Sequence, residues 1–266
     1  MNLTGSGAES YERYQVPSVF APLARTFLAR VPLRPGQRVL DVACGTGIVA
    51  RAAAPMLGPS GSIVGVDHST SMLEVARAQP ATGGARVEWR HGDAASLPCA
   101  DEEFDTVLCQ QGLQFFPDRA AALREMYRVL KPGGLLGICA WRAIEHSPCH
   151  LAITAALRRH ADAEVAQRFG APFAFGDRDA LHDAIVAAGF RDVDVQVAAL
   201  TRRLRPPDES IPGLLASTPV GPAVAALDDA SRAAIVRDSA AALAAYRDGD
   251  ELVVPQPTHV ALATKP

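Results

Sequence analysis

Three aspartates, each at or just past the end of a β-rich run, define the chemistry this chain can do. Asp41 closes RVLD and leads into VACGTG, Asp67 closes SIVGVD, and Asp93 follows RVEWRHG. Gly45 and Gly47 lack a Cβ, so backbone at those positions can approach a ligand closely. The helix that starts near Gly47 offers its first N–H groups and the positive end of its dipole to a carboxylate or phosphate. Gly45, Gly47 and Ala50 also satisfy the G-x-G-x-x-[GA] spacing of dinucleotide loops. Asp41 decides between the two ligands, because a carboxylate inside the loop repels a pyrophosphate and suits an ammonium cation. Asp67 lies roughly 20 residues after the glycines, where an acid accepts hydrogen bonds from a pair of vicinal hydroxyls. Asp93, with the backbone N–H of Ala94 beside it, suits an exocyclic amine on a heterocycle. Taken singly, each aspartate reads equally well as a turn or helix-cap residue. Three in register on successive strands describe one ligand site.

The elements that must position them alternate. Short β-rich runs (RVLDVA, SIVGVD, RVEWRHGD, FDTVLCQ, LLGICAW, VDVQVA) are separated by helical stretches at 48–57, 69–78, 119–130 and 179–188. This predicts an α/β fold, a mostly parallel sheet with helices on both faces, whose ligands bind beyond the carboxyl ends of the strands. Two segments interrupt the rhythm, 142–176 and 202–251. The second ends in an alanine-rich helix capped by Asp228 or Asp229, with Gly249 just past its end, before THVALATK forms a final strand. We therefore expect an N-terminal helical lid segment at 1–36, a Rossmann-like core at 37–200 and 252–266, and a helical insertion over the active site at 201–251. Leu214, Leu215, Ile235, Val236, Leu243 and Tyr246 give that insertion more apolar surface than an isolated helix needs, which favours a lid.

Composition narrows the partners. The chain has 266 residues, 48% hydrophobic and 21% charged, and a net charge of −3, so it carries no basic field for nucleic acid. Five cysteines without C-x-x-C spacing argue against disulfide and zinc frameworks and read as small buried hydrophobes in a reducing compartment. MNLTGSGAESYERY has neither the basic nor the apolar region of a secretory signal, and no run approaches the ~20 apolar residues of a membrane span. A cytoplasmic protein is expected. Its oligomeric state, a homodimer included, is left open.

The run DVACGTG, then VDHSTSML, GDAASLP, FDTVLCQQGLQFFPD and EMYRVLKPGG, resembles the class I S-adenosylmethionine-dependent methyltransferases of the ubiquinone/menaquinone-biosynthesis group, over residues 38–141. The resemblance implies a seven-stranded sheet whose last strand, near 259–264, is inserted antiparallel, with S-adenosylmethionine as cofactor. Asp41 and the loop Ala43, Cys44, Gly45, Thr46 and Gly47 would hold its methionine moiety, with Tyr14 near the methionine carboxylate. Asp67 would bind the ribose, flanked with the adenine by His68 and Met72, while Asp93 and Ala94 read the adenine edge. Gln110 would meet the methionine amino group through its carbonyl. KPGG would turn the chain into the fifth strand.

Methyl transfer is an in-line displacement that needs alignment, exclusion of water and, for some nucleophiles, a base. His146, just past the fifth strand, is the candidate general base. Tyr11, Gln114, Phe115, Trp141 and His146 are the candidate acceptor contacts, with Gln111, Phe116 and His150 nearby in sequence. Glutamines at 110 and 111 replace the carboxylates of metal-dependent catechol-type enzymes, so no metal is expected. The N-P-P-[YF] signature of amine methylation on bases or glutamine is also absent. A metal-independent enzyme methylating an O, C or N atom of a small-molecule acceptor, in a biosynthetic pathway of secondary metabolism, fits these features. The alternative in another class is a protein that binds the cofactor without methyl transfer, as a cyclase would. A nicotinamide-dependent oxidoreductase would need a loop without Asp41, and methylation of RNA or protein lacks both charge and an appended recognition domain.

Overall fold

The computed structural model describes residues 7–80 and 82–266 and divides the chain into two compact units. Residues 1–6 of the expected N-terminal segment lie outside the described residues. The first unit comprises Met1–Ala140, Asp177–Ala198 and Thr258–Pro266; the second comprises Trp141–Gly176 and Ala199–Pro257. The segment 142–176 thus belongs with the later insertion rather than with the strands that flank it.

In the first unit, α1 (Gly7–Ser10) runs through a π-helical stretch, Tyr11–Phe20, into α2 (Ala21–Leu28). Pro17 sits inside that stretch, and with no N–H to donate it breaks regular α-helical bonding. Then follow β1 (Arg38–Val42), α3 (Ile48–Leu57), β2 (Ser62–Asp67), α4 (Thr70–Ala78), β3 (Arg86–His91), β4 (Phe104–Gln110), α5 (Arg119–Val129) and β5 (Leu130–Trp141). The chain next makes α6 (Pro148–His160) and α7 (Ala163–Gly170) of the second unit, and returns for α8 (Arg178–Ala187) and β6 (Arg191–Ala198). The second unit resumes with β7 (Thr201–Leu204), α9 (Pro207–Ala216), α10 (Gly221–Ala225), α11 (Asp229–Ala242), β8 (Arg247–Asp248) and β9 (Glu251–Pro255). Finally β10 (Thr258–Thr264) closes the first unit.

The large sheet has seven strands in the order β3-β2-β1-β4-β5-β10-β6. β1 pairs in parallel with β2 and β4, and β10 runs antiparallel to β6, as the resemblance implies. β1, β2 and β4 are buried along nearly their whole length, the pattern of parallel strands covered on both faces, whereas edge strand β3 is largely exposed. Strand order reverses between β1 and β4, so the sheet's carboxyl edge has its switch point at the loops after these two strands. KPGG does not form a turn before β5. It lies within the strand's irregular first part, where Gly133, at φ +73°, and Gly134 bond to Lys265 of the segment following β10.

The second unit has its own sheet, β7-β9-β8, all antiparallel. Its core joins Ile153, Leu157, Phe169, Ile211, Leu215, Val220, Ile235, Leu243, Leu252 and Val254. Leu214, Leu215, Ile235 and Leu243 are buried in that core, with Val236 and Tyr246 packed against it, so the insertion's apolar content is satisfied within this unit. Asp228 caps α11, accepting the Ser231 N–H at 2.7 Å. Gly249, expected as that helix's terminus, instead makes the β8–β9 turn at φ +62°, because the chain inserts a short 3₁₀ turn and a strand first. Among the described residues no helix is long and apolar enough to cross a membrane.

Candidate functional site

The loop after β1 is shaped by its two glycines. Gly45 has φ +55° and Gly47 φ +85°. A Cβ added at Gly45 would meet nothing within 4 Å, so this backbone faces open space. One added at Gly47 would lie 2.2 Å from the Trp89 ring, which also packs on Gly65. Trp89, on β3, therefore supports the glycine loop from below. Sequence reasoning passed over it because an aromatic in a strand carries no site signal.

Asp41 is 1% exposed, and its Oδ2 accepts the N–H of Ala50 in the first turn of α3 at 3.1 Å. Burial pushes this carboxyl up to about 7, reinforced by the charge of Asp67 and opposed by the Ala50 N–H. Asp67, also buried, accepts Gly45 N–H at 2.8 Å on Oδ2 and Ser69 N–H at 2.8 Å on Oδ1. Each oxygen retains a second lone pair for a ligand hydroxyl. Burial, with Asp41 and Asp67 adding, holds the Cys44 thiol well above its usual range. Burial and the acids Glu12, Asp67 and Asp41 raise the Tyr11 phenol. The surroundings of Asp41 and Asp67 are thus strongly electronegative and favour a cation. Tyr11, expected among the acceptor contacts, senses the same acids as Cys44 in the glycine loop. Glu12, absent from the expected residues, pairs with Arg51 at 2.7 Å, and Arg51 also bonds the carbonyl of Thr46.

The loop after β4 meets the loop after β1. Ala43 (φ +56°) and Gln111 (φ +59°) both hold left-handed backbone, a strain that structures retain mainly around functional sites. A Cβ on Gly112 would come within 2.6 Å of the Ala43 side chain, so glycine is what allows the two loops to touch. Gln110 donates through Nε2 to the Phe20 carbonyl at 3.4 Å, while its Oε1 and the Thr46 hydroxyl are sealed without partners. Gln111 donates to Thr258 Oγ1 at 3.1 Å, and Gln114 donates to Gln111 Oε1 at 2.7 Å. Gln114, an expected acceptor contact, is therefore buried in a glutamine ladder, and Phe115 is 59% exposed.

Around Asp67, the His68 side chain is exposed and its carbonyl meets His91 Nε2 at 3.0 Å. Met72 is half-buried in the first turn of α4, its N–H directed to the Ser69 cap. Asp93 is exposed and accepts the Ala95 N–H at 2.9 Å, a turn that fixes the buried Ala94. Tyr14 is half-buried, with the Arg13 guanidinium 5.5 Å from its ring centre. Trp141 and His146 fall in the second unit. Trp141 stacks on Phe173 at 6.0 Å, and exposed His146 accepts from Arg142 through Nε2 at 3.0 Å, an atom a base would use.

Residues 39–134 match the family model of a methyltransferase domain. Over 104 residues the chain is 45% identical to the demethylmenaquinone methyltransferase of Staphylococcus aureus, a match covering 39% of this chain and 43% of that protein. The chain spans less than half the length of the curated relatives it matches. A solved structure assigned as a methyltransferase from Bacillus halodurans aligns over 91% of this chain and 98% of its own, with 21% identity and a TM-score of 0.62. The [4+2]-cyclase SpnF aligns over 92% of this chain and 80% of its own, with 24% identity and a TM-score of 0.56. Residues 39–134 thus match a methyltransferase domain, and the sheet order and the likeness to solved structures give the first unit a Rossmann-like α/β fold.

Proposed function

We propose that the chain transfers a methyl group from S-adenosylmethionine to an oxygen, carbon or nitrogen atom of a small-molecule acceptor. The observation that carries this reading is the acid pair at the ends of β1 and β2. Buried Asp41 is held toward its neutral form until a cation arrives, and Asp67 presents two carboxylate oxygens fixed by Gly45 and Ser69. The cofactor's ammonium group suits Asp41, its ribose hydroxyls suit Asp67, and its carboxylate suits the N-terminal turn of α3. The unpartnered Thr46 hydroxyl and Gln110 amide oxygen are polar groups the same ligand would satisfy. When bound, the cofactor supplies an activated methyl on a sulfonium. The chain's own residues fix its orientation, through the Ala43–Gly112 contact and the Gly45 amide, and withhold water from Asp41.

The reading extends to a metal-independent reaction in the cytoplasm, on a small molecule rather than a nucleic acid. The net charge of −3 and the free cysteines among the described residues support those two points. His146 is the residue proposed to remove a proton, and its replacement by alanine should lower kcat with KM retained. Residues 1–36 and 201–251 are proposed to gain hydrogen-exchange protection when cofactor product and acceptor are both present. Incubation with labelled S-adenosylmethionine and candidate acceptors tests the main claim, with S-adenosylhomocysteine formed in step with methylated product. The likeness to a cyclase fold favours a second reading, in which the cofactor binds but product forms without S-adenosylhomocysteine.

A further inference from the structure

The second unit buries an arginine without a counterion. On β7 the side chains alternate, Thr201 and Arg203 outward, Arg202 and Leu204 inward. Outward Arg203 finds Asp248 at 3.3 Å and Glu251 at 3.1 Å. Inward Arg202 is 4% exposed and shares its face with Leu204 and, across the ladder, Val254 and Leu252. Its Nε is sealed from solvent with no hydrogen-bond partner, and no carboxylate among the described residues pairs with it. Burial lowers its affinity for a proton, with only the Cys149 side chain acting the other way. A buried, unpaired cation costs several kcal/mol, roughly the scale of a domain's whole stability, so sequences rarely keep one without a use.

Beside it lies a second unsatisfied group. His150, on α6, is close enough for the Arg202 charge to act on it, and its Nδ1 is sealed without a partner. Burial and that charge hold the ring down to about 3, so it is neutral. Its ring lies 5.5 Å from Phe169 and 4.7 Å from Phe173, and Phe173 stacks on Trp141, making a continuous aromatic row. A guanidinium whose charge reaches a neutral imidazole packed on aromatic rings matches a planar carboxylate on a flat apolar body.

We propose that Arg202 anchors a site in the second unit for the carboxylate of an aromatic small molecule. The site stands independently of the methyltransferase reading. A structural role and a ligand role make opposite demands on stability. A cation kept for a ligand destabilises the empty protein, so Arg202→Met should raise the melting temperature of the ligand-free chain. A lower or unchanged melting temperature overturns the proposal. In the unsubstituted chain, benzoate should bind on the order of tenfold or more tighter than its neutral isostere benzamide. Arg202→Met should abolish that preference and Arg202→Lys should weaken it, since lysine keeps the charge but not the fork. Equal binding of benzoate and benzamide, or no binding of either, overturns the proposal without needing any variant. Calorimetric titration with S-adenosylhomocysteine serves as the separate control: its failure would sink the cofactor reading and leave the benzoate result standing.

Discussion

The carboxylate of Asp67 and the amide of Gly45 lie 2.8 Å apart, and this hydrogen bond ties the end of β2 to the glycine loop after β1. Asp67 therefore positions the loop as well as offering itself to a ligand. Asp67→Ala should weaken S-adenosylhomocysteine binding by at least about tenfold, since charge-assisted hydrogen bonds are each worth roughly 1.5–3 kcal/mol. Asp67→Asn keeps one acceptor oxygen and should fall between. Calorimetry showing wild-type affinity for the alanine variant would falsify the ribose assignment.

Asp41 ties binding to pH. Its carboxyl is near 7 in the folded, ligand-free chain, against an ordinary aspartate value of about 3.9 in the unfolded one. Folding thus favours the protonated form. The contribution of Asp41 to stability is full below about pH 4 and is lost as pH rises through 7. The stability difference between wild type and Asp41→Asn should decline over that window and level off above it, in urea melts taken at each pH. An ammonium ligand needs the ionised carboxylate. Affinity for S-adenosylhomocysteine should therefore fall below pH 7, toward a limit of about tenfold per pH unit, and Asp41→Asn should remove this dependence.

The glycine loop was legible at the level of residues, and the reason is local. Gly45 and Gly47 need positive φ, Asp41 and Asp67 must end strands, and Ser69, Asp118 and Asp228 cap helices that start where the polar-to-apolar pattern changes. The sheet β7-β9-β8 was not legible. Its strands are two to five residues long, carry arginines and border prolines, so no alternation could be read over so short a span. Nor could sequence distinguish Arg202 from Arg203, because facing is fixed by register with β9 rather than by residue type. The glutamines after β4 show the same limit. Gln114 is turned inward by a bond to Gln111, which depends on Thr258 from a strand made much later.

Trp89 sets a prediction for the loop it supports. Gly47→Ala places a methyl group against the indole and forces a left-handed conformation on alanine, so it should lower the melting temperature and weaken cofactor binding. In a Trp89→Ala background the steric part disappears and only the backbone cost, about 1 kcal/mol, remains. A double-mutant cycle by chemical denaturation measures the difference, and additivity would count against the contact.

Thiol chemistry offers a direct check on burial. Cys109 and Cys139 are fully buried and pushed up to about 12, and burial also raises Cys44 and Cys149. Cys99 is half-buried, with a smaller barrier to access. A disulfide reagent at pH 8 should react with no more than this one thiol in the native chain. Addition of denaturant should release the rest.

Metal removal tests the proposed metal-independent reaction. Gln110 and Gln111 carry amides rather than carboxylates, so on the proposed metal-independent reading turnover should survive EDTA. Loss of activity restored by magnesium would show that the site had been misread.

The position of β10 has a consequence for biosynthesis. This strand fills the gap between β5 and β6, yet all of Ala199–Pro257 is translated between β6 and β10. As the chain leaves the ribosome, β5 and β6 emerge with unpaired edges that stay exposed until the second unit has been synthesised. Open strand edges attract other strands, so the nascent chain passes through a period of vulnerability to aggregation that the finished protein does not share. Translation speed and chaperone supply over that stretch therefore bear on the yield of soluble protein.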